Sequence, residues 1–219
     1  MKLKVIVTGV TGMVGEGVMY ECLMHPDVES VLTVSRKPTG YAHPKLTEIV
    51  IPDLLDLSAI ESRLTGYNAC FFCLGVSSIG MKEAEYRHIT YDLTMNFATT
   101  LSKANPDMTF CYISGAGTDS SESGKLMWAR VKGKTENDLR KLPFKRVFAF
   151  RPGLIKATKG MKYTLKYYKY FSWFYPLLHF LFPSSSCTLK EIGIAMIHVA
   201  ENDYPEEIME VRDIVTAAK

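Results

Sequence analysis

Three glycines near the amino end have the spacing of a phosphate-binding turn. Gly9, Gly12 and Gly15 follow a short β-branched run and open a stretch with helical periodicity. In a strand–turn–helix unit, the first glycine permits the sharp turn, the second lets a pyrophosphate approach the backbone, and the third lets helix and strand pack closely. The free N–H groups and the positive dipole end of the helix favour an anion. We predict a dinucleotide site formed by Thr8, Gly9, Thr11, Gly12, Met13, Val14 and Gly15, with a tight turn that binds nothing as the alternative.

The residues after the second predicted strand bear on which dinucleotide this would be. The chain reads Ser35-Arg36-Lys37 there, without the acid that usually accepts hydrogen bonds from the ribose of NAD. A guanidinium can bind a 2′-phosphate in a fork, so the sequence favours NADP(H) over NAD(H). An ordinary surface cation is the alternative for Arg36. Asp53, after the third predicted strand, is placed to contact the adenine amino group or to cap a helix beside Asp56.

Short apolar runs alternate with helical patterns and would position these residues. Strands are predicted at Leu3–Thr8, Val31–Ser35, Thr47–Ile51, Ala69–Leu74, Thr109–Ser114 and Arg146–Phe150. Helices are predicted near 13–24, 57–64, 84–104 and 125–141, then from a cap at Thr188 to about Glu201, before a last short strand at Ile208–Val211. The alternation predicts an α/β fold with a doubly wound parallel sheet and helices on both faces.

The composition indicates one globular domain. Hydrophobic residues make up 47% and charged residues 22% of 219, which excludes a disordered, collagenous or coiled-coil chain. The net charge of +3 is too small to indicate a nucleic-acid partner. We assign residues 1–219 to a single domain, with 1–155 as the cofactor-binding core. Residues 156–219 form a small helical and aromatic extension that would serve as a substrate, lid or interface region.

Several motifs after the glycine turn carry a family resemblance. Asp53-Leu54, Cys73-Leu74-Gly75, Ser114-Gly115-Ala116 and Arg151-Pro152-Gly153 occur in the order of the short-chain dehydrogenase/reductase superfamily, which the chain resembles. The segment 128–136, from Trp128 to Glu136, is similar to the atypical, NAD-dependent epimerase/dehydratase-like branch that includes the HIV-Tat-interacting oxidoreductases. The resemblance implies a Rossmann fold with a cofactor that is often NADP(H).

The resemblance also implies roles for single residues. Ser114 would lie near a substrate carbonyl, Lys132 would bind the nicotinamide ribose, and Asn96 matches a structural asparagine. The remaining implied cofactor contacts are the 2′-phosphate site at Ser35, Arg36 and Lys37, the adenosine side at Asp53, Leu54, Cys73, Leu74 and Gly75, and the nicotinamide border at Pro152 and Gly153.

The chain departs from this family at the catalytic pair. The family uses Tyr-x-x-x-Lys, in which the tyrosine exchanges the substrate proton and the lysine lowers its pKa. Trp128 occupies the tyrosine position, and an indole does not ionise at physiological pH. Three explanations stay open: water or substrate moves the proton, the protein binds NADP(H) without turnover as a regulator or scaffold, or another group substitutes, with Tyr86, His88, Tyr91, Tyr112 and Tyr163 as candidates.

The cysteines and histidines indicate neither a metal site nor a redox pair. Cys70 and Cys73 belong to one predicted strand, where alternation would place their thiols on opposite faces. The five histidines lack ligand spacing, so no metal is predicted. An odd number of cysteines and no visible signal peptide lead us to expect a reducing compartment and a cytoplasmic protein.

Residues 160–186 are basic and aromatic. Lysines recur here at helical spacing, and tyrosines lie beside them: Lys159, Lys162, Lys166 and Lys169, with Tyr163, Tyr167 and Tyr170. Such a stretch fits peripheral contact with an anionic membrane. A lid over a small-molecule substrate or a homodimer interface is the favoured interpretation, with simple packing as a further alternative.

Overall fold

A sheet of seven parallel strands carries the fold. The structure, a computed structural model, describes residues 2–158, 160–163, 185–202 and 204–219. The strands are β1 (Leu3–Thr8), β2 (Val28–Ser35), β3 (Leu46–Val50), β4 (Ala69–Phe72), β5 (Thr109–Ile113), β6 (Arg146–Arg151) and β9 (Ile208–Glu210). Their order is β3-β2-β1-β4-β5-β6-β9, and each neighbouring pair is parallel. A separate parallel pair joins β7 (Leu154–Lys156) to β8 (Ser186–Thr188).

Helices cover both faces of this sheet. They are α1 (Met13–Met24), α2 (Glu83–Arg87), α3 (Leu93–Ala104), α4 (Met127–Leu139), α5 (Leu189–Glu201) and α6 (Val211–Ala217). A π-helical turn, His88–Asp92, joins α2 to α3 into the continuous helix predicted for 84–104. One core cluster joins α1, α5 and α6 to the sheet, and the other joins α3 and α4 to its opposite face. The predicted doubly wound α/β sheet is confirmed.

Local sequence explains where α5 begins. The Thr188 hydroxyl accepts a hydrogen bond from the Glu191 backbone N–H, and the Glu191 carboxylate accepts one from the Thr188 backbone N–H. This capping box satisfies N–H groups that the first helical turn leaves without partners. The cap and the end of the helix at Glu201 agree with the prediction.

The predicted helix at 57–64 is wrong, since only a 3₁₀ helix, Glu61–Leu64, forms there. Two aspartates favour turns instead: Asp53 accepts a hydrogen bond from the Leu55 N–H, and Asp56 accepts one from the Ser58 N–H. Such side-chain bonds to the backbone two residues ahead compete with helix formation. Three short elements, β7, β8 and α6, were not predicted from the sequence.

The basic aromatic segment falls mostly outside the described residues, which omit 159 and 164–184. Its predicted roles as a membrane surface, lid, homodimer interface or packed extension therefore stay predictions. In the part of the chain that the structure describes, no helix is long and apolar enough to cross a membrane.

Candidate functional site

The glycine turn lies at the carboxyl edge of the sheet, where the strand order reverses. β1 sits between β2 and β4, and the chain runs outward from β1 in both directions. In open parallel sheets, ligands bind in the crevice outside the carboxyl ends at such a point. The sheet therefore places residues 9–15 and the segments that follow β2, β4, β5 and β6 along one edge.

The three glycines of the turn differ in what a side chain would meet. Gly9 has φ of 70°, and a Cβ on it would lie 2.5 Å from the Cys73 carbonyl oxygen. A Cβ on Gly15 would collide with the Gly9 carbonyl oxygen. A Cβ on Gly12 would approach only that same oxygen, at 3.3 Å. The fold itself therefore requires Gly9 and Gly15, whereas a Cβ on Gly12 would make one tight contact without a collision.

The first turn of α1 presents unpaired backbone donors beside Gly12. The first intrahelical bond runs from the Glu16 N–H to the Gly12 carbonyl at 2.9 Å, and Gly12 supplies no side-chain cap. The N–H groups of Met13, Val14 and Gly15 precede that bond and have no helical acceptor. A cradle of free amides without a Cβ fits the diphosphate of a dinucleotide.

The side chains around this turn differ in their exposure to solvent. Thr11 is exposed, while Met13 and Val14 are half-buried. Thr8 is fully buried, and its hydroxyl oxygen has no hydrogen-bond partner among the described residues. The backbone, more than these side chains, therefore offers groups that could bind a phosphate.

The loop after β2 presents two exposed cations. The buried Ser35 hydroxyl donates to the Lys37 carbonyl at 2.6 Å, which turns the chain as it leaves the strand. Arg36 and Lys37 are exposed, and within the described part of the chain no acidic side chain pairs with either. The Asp53 side chain is exposed. One of its carboxylate oxygens accepts the Leu55 N–H, and the carboxylate can accept a further hydrogen bond.

The residues predicted for the adenosine side differ in exposure. Leu54 is buried in the core, so its side chain serves packing. Cys73 and Leu74 follow β4 and are half-buried, and Gly75 is exposed. Asn96 donates to the Leu55 carbonyl at 2.8 Å and thereby ties α3 to the loop after β3.

The nicotinamide border predicted at 152–153 connects the ends of β5 and β6. The Ala116 N–H donates to the carbonyl of buried Pro152 at 3.0 Å. A Cβ on Gly153 would collide with the Ser185 carbonyl oxygen. Gly153 is therefore required for close packing against residue 185, at the start of the C-terminal elements.

The two predicted catalytic residues meet at the end of β5. The Ser114 hydroxyl donates to the Phe150 carbonyl at 3.1 Å, and the Lys132 ammonium donates to the Ser114 carbonyl and, at 3.4 Å, to that of Ile113. Burial lowers the pKa of Lys132 to about 8, against the partly compensating charge of Glu136. Both polar groups are thus engaged with backbone carbonyls.

Trp128 lies one helical turn before Lys132 on α4, where the family places its tyrosine. The indole is half-buried and packs against Gly117, since a Cβ there would lie 3.6 Å from the ring. It therefore forms a wall beside the end of β5. Its N–H can donate a hydrogen bond, but it does not ionise at physiological pH and so cannot act as a general acid.

The candidate replacement proton donors are mostly remote or engaged. Tyr91 donates to Asp138 at 2.7 Å, His88 pairs with Asp92 at 3.2 Å, and Tyr163 lies 3.4 Å from the Thr39 carbonyl. The other two, Tyr86 and Tyr112, are 1% exposed. Burial raises the pKa of Tyr112, whose ring centre lies 5.9 Å from the Lys132 nitrogen.

A buried ion pair behind this site escaped the sequence analysis. The Arg151 guanidinium donates two hydrogen bonds to Glu136, at 2.6 and 3.1 Å, and one each to Ser120 and Glu210. The Glu136 side chain is 0% exposed and lies one helical turn beyond Lys132. The pair joins the end of β6 to α4. The helical spacing of Lys132 and Glu136 was the sequence feature that could have indicated a role for Glu136 in this site.

The cysteines lie where the alternation predicted. Cys70 belongs to one core cluster and Cys73 packs against the other, so the two thiols face opposite sides of the sheet. All five thiols are free, and burial raises the pKa of Cys70. Among the described residues, no group of histidine, cysteine and acidic side chains could hold a metal ion.

Comparison with known proteins identifies the family. The model of the NAD dependent epimerase/dehydratase family matches residues 5–125. The chain belongs to this family. It is 33% identical over 157 residues to the protein fmp52-1, mitochondrial, of Aspergillus oryzae, with 69% of this chain and 65% of that protein covered. This chain thus spans just under two thirds of that relative's length.

Solved structures show the same fold. NADPH-bound carbonyl reductase from chicken fatty liver has a TM-score of 0.66 at 16% identity, covering 97% of this chain and 98% of its own. The Bordetella bronchiseptica enzyme WbmG in complex with NAD has a TM-score of 0.69 at 12% identity, covering 99% and 77%. The predicted Rossmann fold and the resemblance to short-chain dehydrogenases/reductases and epimerases are confirmed.

The same comparison contradicts the expected location. The Aspergillus oryzae relative is named a mitochondrial protein, as are relatives from Aspergillus terreus and Debaryomyces hansenii. The prediction of a cytoplasmic protein is therefore wrong. The odd number of cysteines led to the expectation of a reducing compartment, and that property does not distinguish one reducing compartment from another.

Proposed function

We propose that the chain binds a nicotinamide dinucleotide at the carboxyl edge of the sheet, with NADP(H) preferred over NAD(H). The observation that carries this proposal is the geometry of the glycine turn. Gly12 leaves space that a Cβ would fill, and the amides of Met13 and Val14 face no helical acceptor. The family membership supports the binding of a nicotinamide dinucleotide, because the family is NAD dependent by name.

The preference for NADP(H) rests on Arg36 and Lys37. Both side chains are exposed directly after β2, next to the phosphate turn on β1. The 2′-phosphate of NADP(H) carries negative charge that a guanidinium binds through paired hydrogen bonds. An acid at this position would instead favour the free ribose hydroxyls of NAD(H).

The bound cofactor would supply hydride transfer to or from the carbonyl or alcohol carbon of a small molecule. In this chain, Lys132 holds a proton at the end of β5, beside the backbone carbonyl of Ser114. The Ser114 hydroxyl donates to the Phe150 carbonyl, so its oxygen would accept a hydrogen bond from a substrate alcohol, and it would donate to a substrate carbonyl by exchanging partners. Trp128 would close one wall of the pocket and exclude water.

A second candidate function is binding of NADP(H) without turnover, as a regulator or scaffold. Trp128 favours it, because the residue that would exchange the substrate proton is an indole packed against Gly117. Ser114 and Lys132 are both bonded to backbone carbonyls, which is compatible with a purely structural role. The two candidates share the cofactor site and differ in whether the native chain oxidises NADPH over a carbonyl panel.

Calorimetric titration with NADPH and NADH tests the shared proposal. The native chain should bind both, with the lower Kd for NADPH, and Gly12→Ala should weaken both by at least tenfold while leaving the melting temperature nearly unchanged. Arg36→Ala should weaken NADPH alone. Arg63→Ala removes the same charge from the exposed face of the 3₁₀ helix and is the matched control. The absence of binding to either coenzyme at millimolar concentration would refute the proposal.

A further inference from the structure

Glu16, the residue after the last glycine of the turn, is a fully buried carboxylate. Its side chain is 0% exposed. One carboxylate oxygen accepts hydrogen bonds from the Tyr41 hydroxyl and the Lys162 backbone N–H, both at 2.6 Å, and the other accepts one from the Tyr163 backbone N–H at 2.7 Å. A buried charge is unfavourable unless such bonds satisfy it. These bonds join α1 to two segments distant in sequence.

One of those segments is the end of the loop that carries Arg36 and Lys37. Residues 39–41 of this loop are fixed from two sides. The Thr39 N–H donates to the Glu48 carboxylate on β3 at 3.0 Å, and the Tyr41 hydroxyl donates to Glu16 on α1. Burial and the neighbouring Glu16 carboxylate raise the pKa of Tyr41 to about 12, so the hydroxyl keeps its proton at physiological pH.

The other segment, residues 160–163, reinforces the same loop. The Lys162 ammonium donates to the Gly40 carbonyl at 2.6 Å and lies 4.0 Å from the centre of the Tyr41 ring. The Tyr163 hydroxyl lies 3.4 Å from the Thr39 carbonyl. Glu16 thus fixes the backbone of 162–163, and Lys162 in turn fixes the backbone of the loop.

Arg36 and Lys37 lie between two fixed points. On one side the Ser35 hydroxyl binds the Lys37 carbonyl, and on the other Tyr41 is bound to Glu16. We propose that Glu16 and Tyr41 are positioning residues that hold the Arg36–Lys37 loop in place for the 2′-phosphate of NADP(H), and so set the coenzyme preference. The inference rests on the proposed function. A loop that is already ordered loses less conformational freedom when the phosphate binds.

The test separates positioning from general stability by comparing two coenzymes. Tyr41→Phe removes only the hydroxyl, and Glu16→Gln replaces an accepting oxygen with an NH₂ donor that faces other donors. Each variant should raise the Kd for NADPH about fivefold to tenfold and change the Kd for NADH less than twofold. Tyr20→Phe, at a half-exposed tyrosine on the same helix, is the matched control and should change neither.

The possible outcomes distinguish failure of the inference from failure of the proposed function. A fall in the NADPH-to-NADH preference with unchanged NADH binding supports the inference, and the same difference should appear between 2′,5′-ADP and 5′-AMP as fragment probes. Equal weakening of both coenzymes, or no change in either, would overturn the inference while leaving the proposed function standing. Failure of the native chain to bind either coenzyme would refute the proposed function itself. Tyr41→Phe retains the ring that Lys162 contacts, so this variant can still be measured if Glu16→Gln fails to fold.

Discussion

Removal of the Arg151 guanidinium should destabilise the protein strongly. Arg151→Met keeps most of the side-chain volume but deprives the Glu136 carboxylate, which is 0% exposed, of the cation that is hydrogen-bonded to it. Two hydrogen bonds to Glu136 disappear, together with single bonds to Ser120 and Glu210. The change therefore isolates the charge of Arg151 from its packing.

The magnitude follows from burial. Breaking a buried ion pair from one side costs about 3–5 kcal/mol, because the remaining charge stays buried and unpaired. Glu210 is half-exposed, so the loss of its ion pair with Arg151 contributes about 1 kcal/mol or less to the destabilisation. Against a total stability of about 5–15 kcal/mol, the variant should still fold but melt roughly 6–20 °C lower.

Urea unfolding followed by circular dichroism measures the effect. Lys4→Gln is the control, because Lys4 and Glu29 form an exposed pair and should contribute less than about 1 kcal/mol. Adding Glu136→Gln to Arg151→Met should restore part of the lost stability, since the buried carboxylate that has lost its guanidinium partner is then neutral. A loss below about 1 kcal/mol for Arg151→Met, or a double variant as unstable as the sum of its parts, would refute this reasoning.

Three further changes test the site. Gly15→Ala should destabilise the fold by about 1–3 kcal/mol in urea, because its Cβ would collide with the Gly9 carbonyl, whereas a stability equal to that of the native chain would contradict the packing described. Burial lowers the pKa of Lys132 from 10.5 to about 8, so the unfolded chain binds this proton more tightly. Native stability, relative to that of Lys132→Met, should therefore rise between those two pH values, and a flat difference would contradict the shift. Trp128→Tyr should raise NADPH oxidation over a carbonyl panel roughly 100-fold if the native chain is a binder only, and a native chain that is already fast would exclude that function.

Periodicity and glycine spacing were enough to predict most of the elements that build the site. β1 and α1 begin and end where the sequence indicated, because a strand buried on both faces and a glycine turn are strong local signals. The segment 57–64 was misread because Leu57 and Ile60 have helical spacing and are buried, yet turns bring them to the core. The spacing of these two residues therefore predicts that both are buried, but it does not predict the backbone conformation that brings them to the core.

Contacts between distant residues could not be predicted from local patterns. No local pattern pairs Arg151 with Glu136, and the two side chains meet only because the fold places the end of β6 beside α4. Glu16 reads as an acid in the first turn of a helix, and only the fold reveals its bonds to residues 41 and 162–163. The sequence indicated that Ser114 and Lys132 belong to one site, but not that backbone carbonyls engage both.

Binding of NADPH at the glycine turn can be observed directly by titrating the ¹⁵N-labelled chain with the coenzyme and following the amide chemical shifts. We expect the largest shifts at Met13, Val14 and Gly15, whose N–H groups lack helical acceptors, and shifts at Arg36 and Lys37 that are much larger with NADPH than with NADH. Unchanged resonances in residues 9–15 at millimolar coenzyme, or shifts confined to another edge of the sheet, would contradict it.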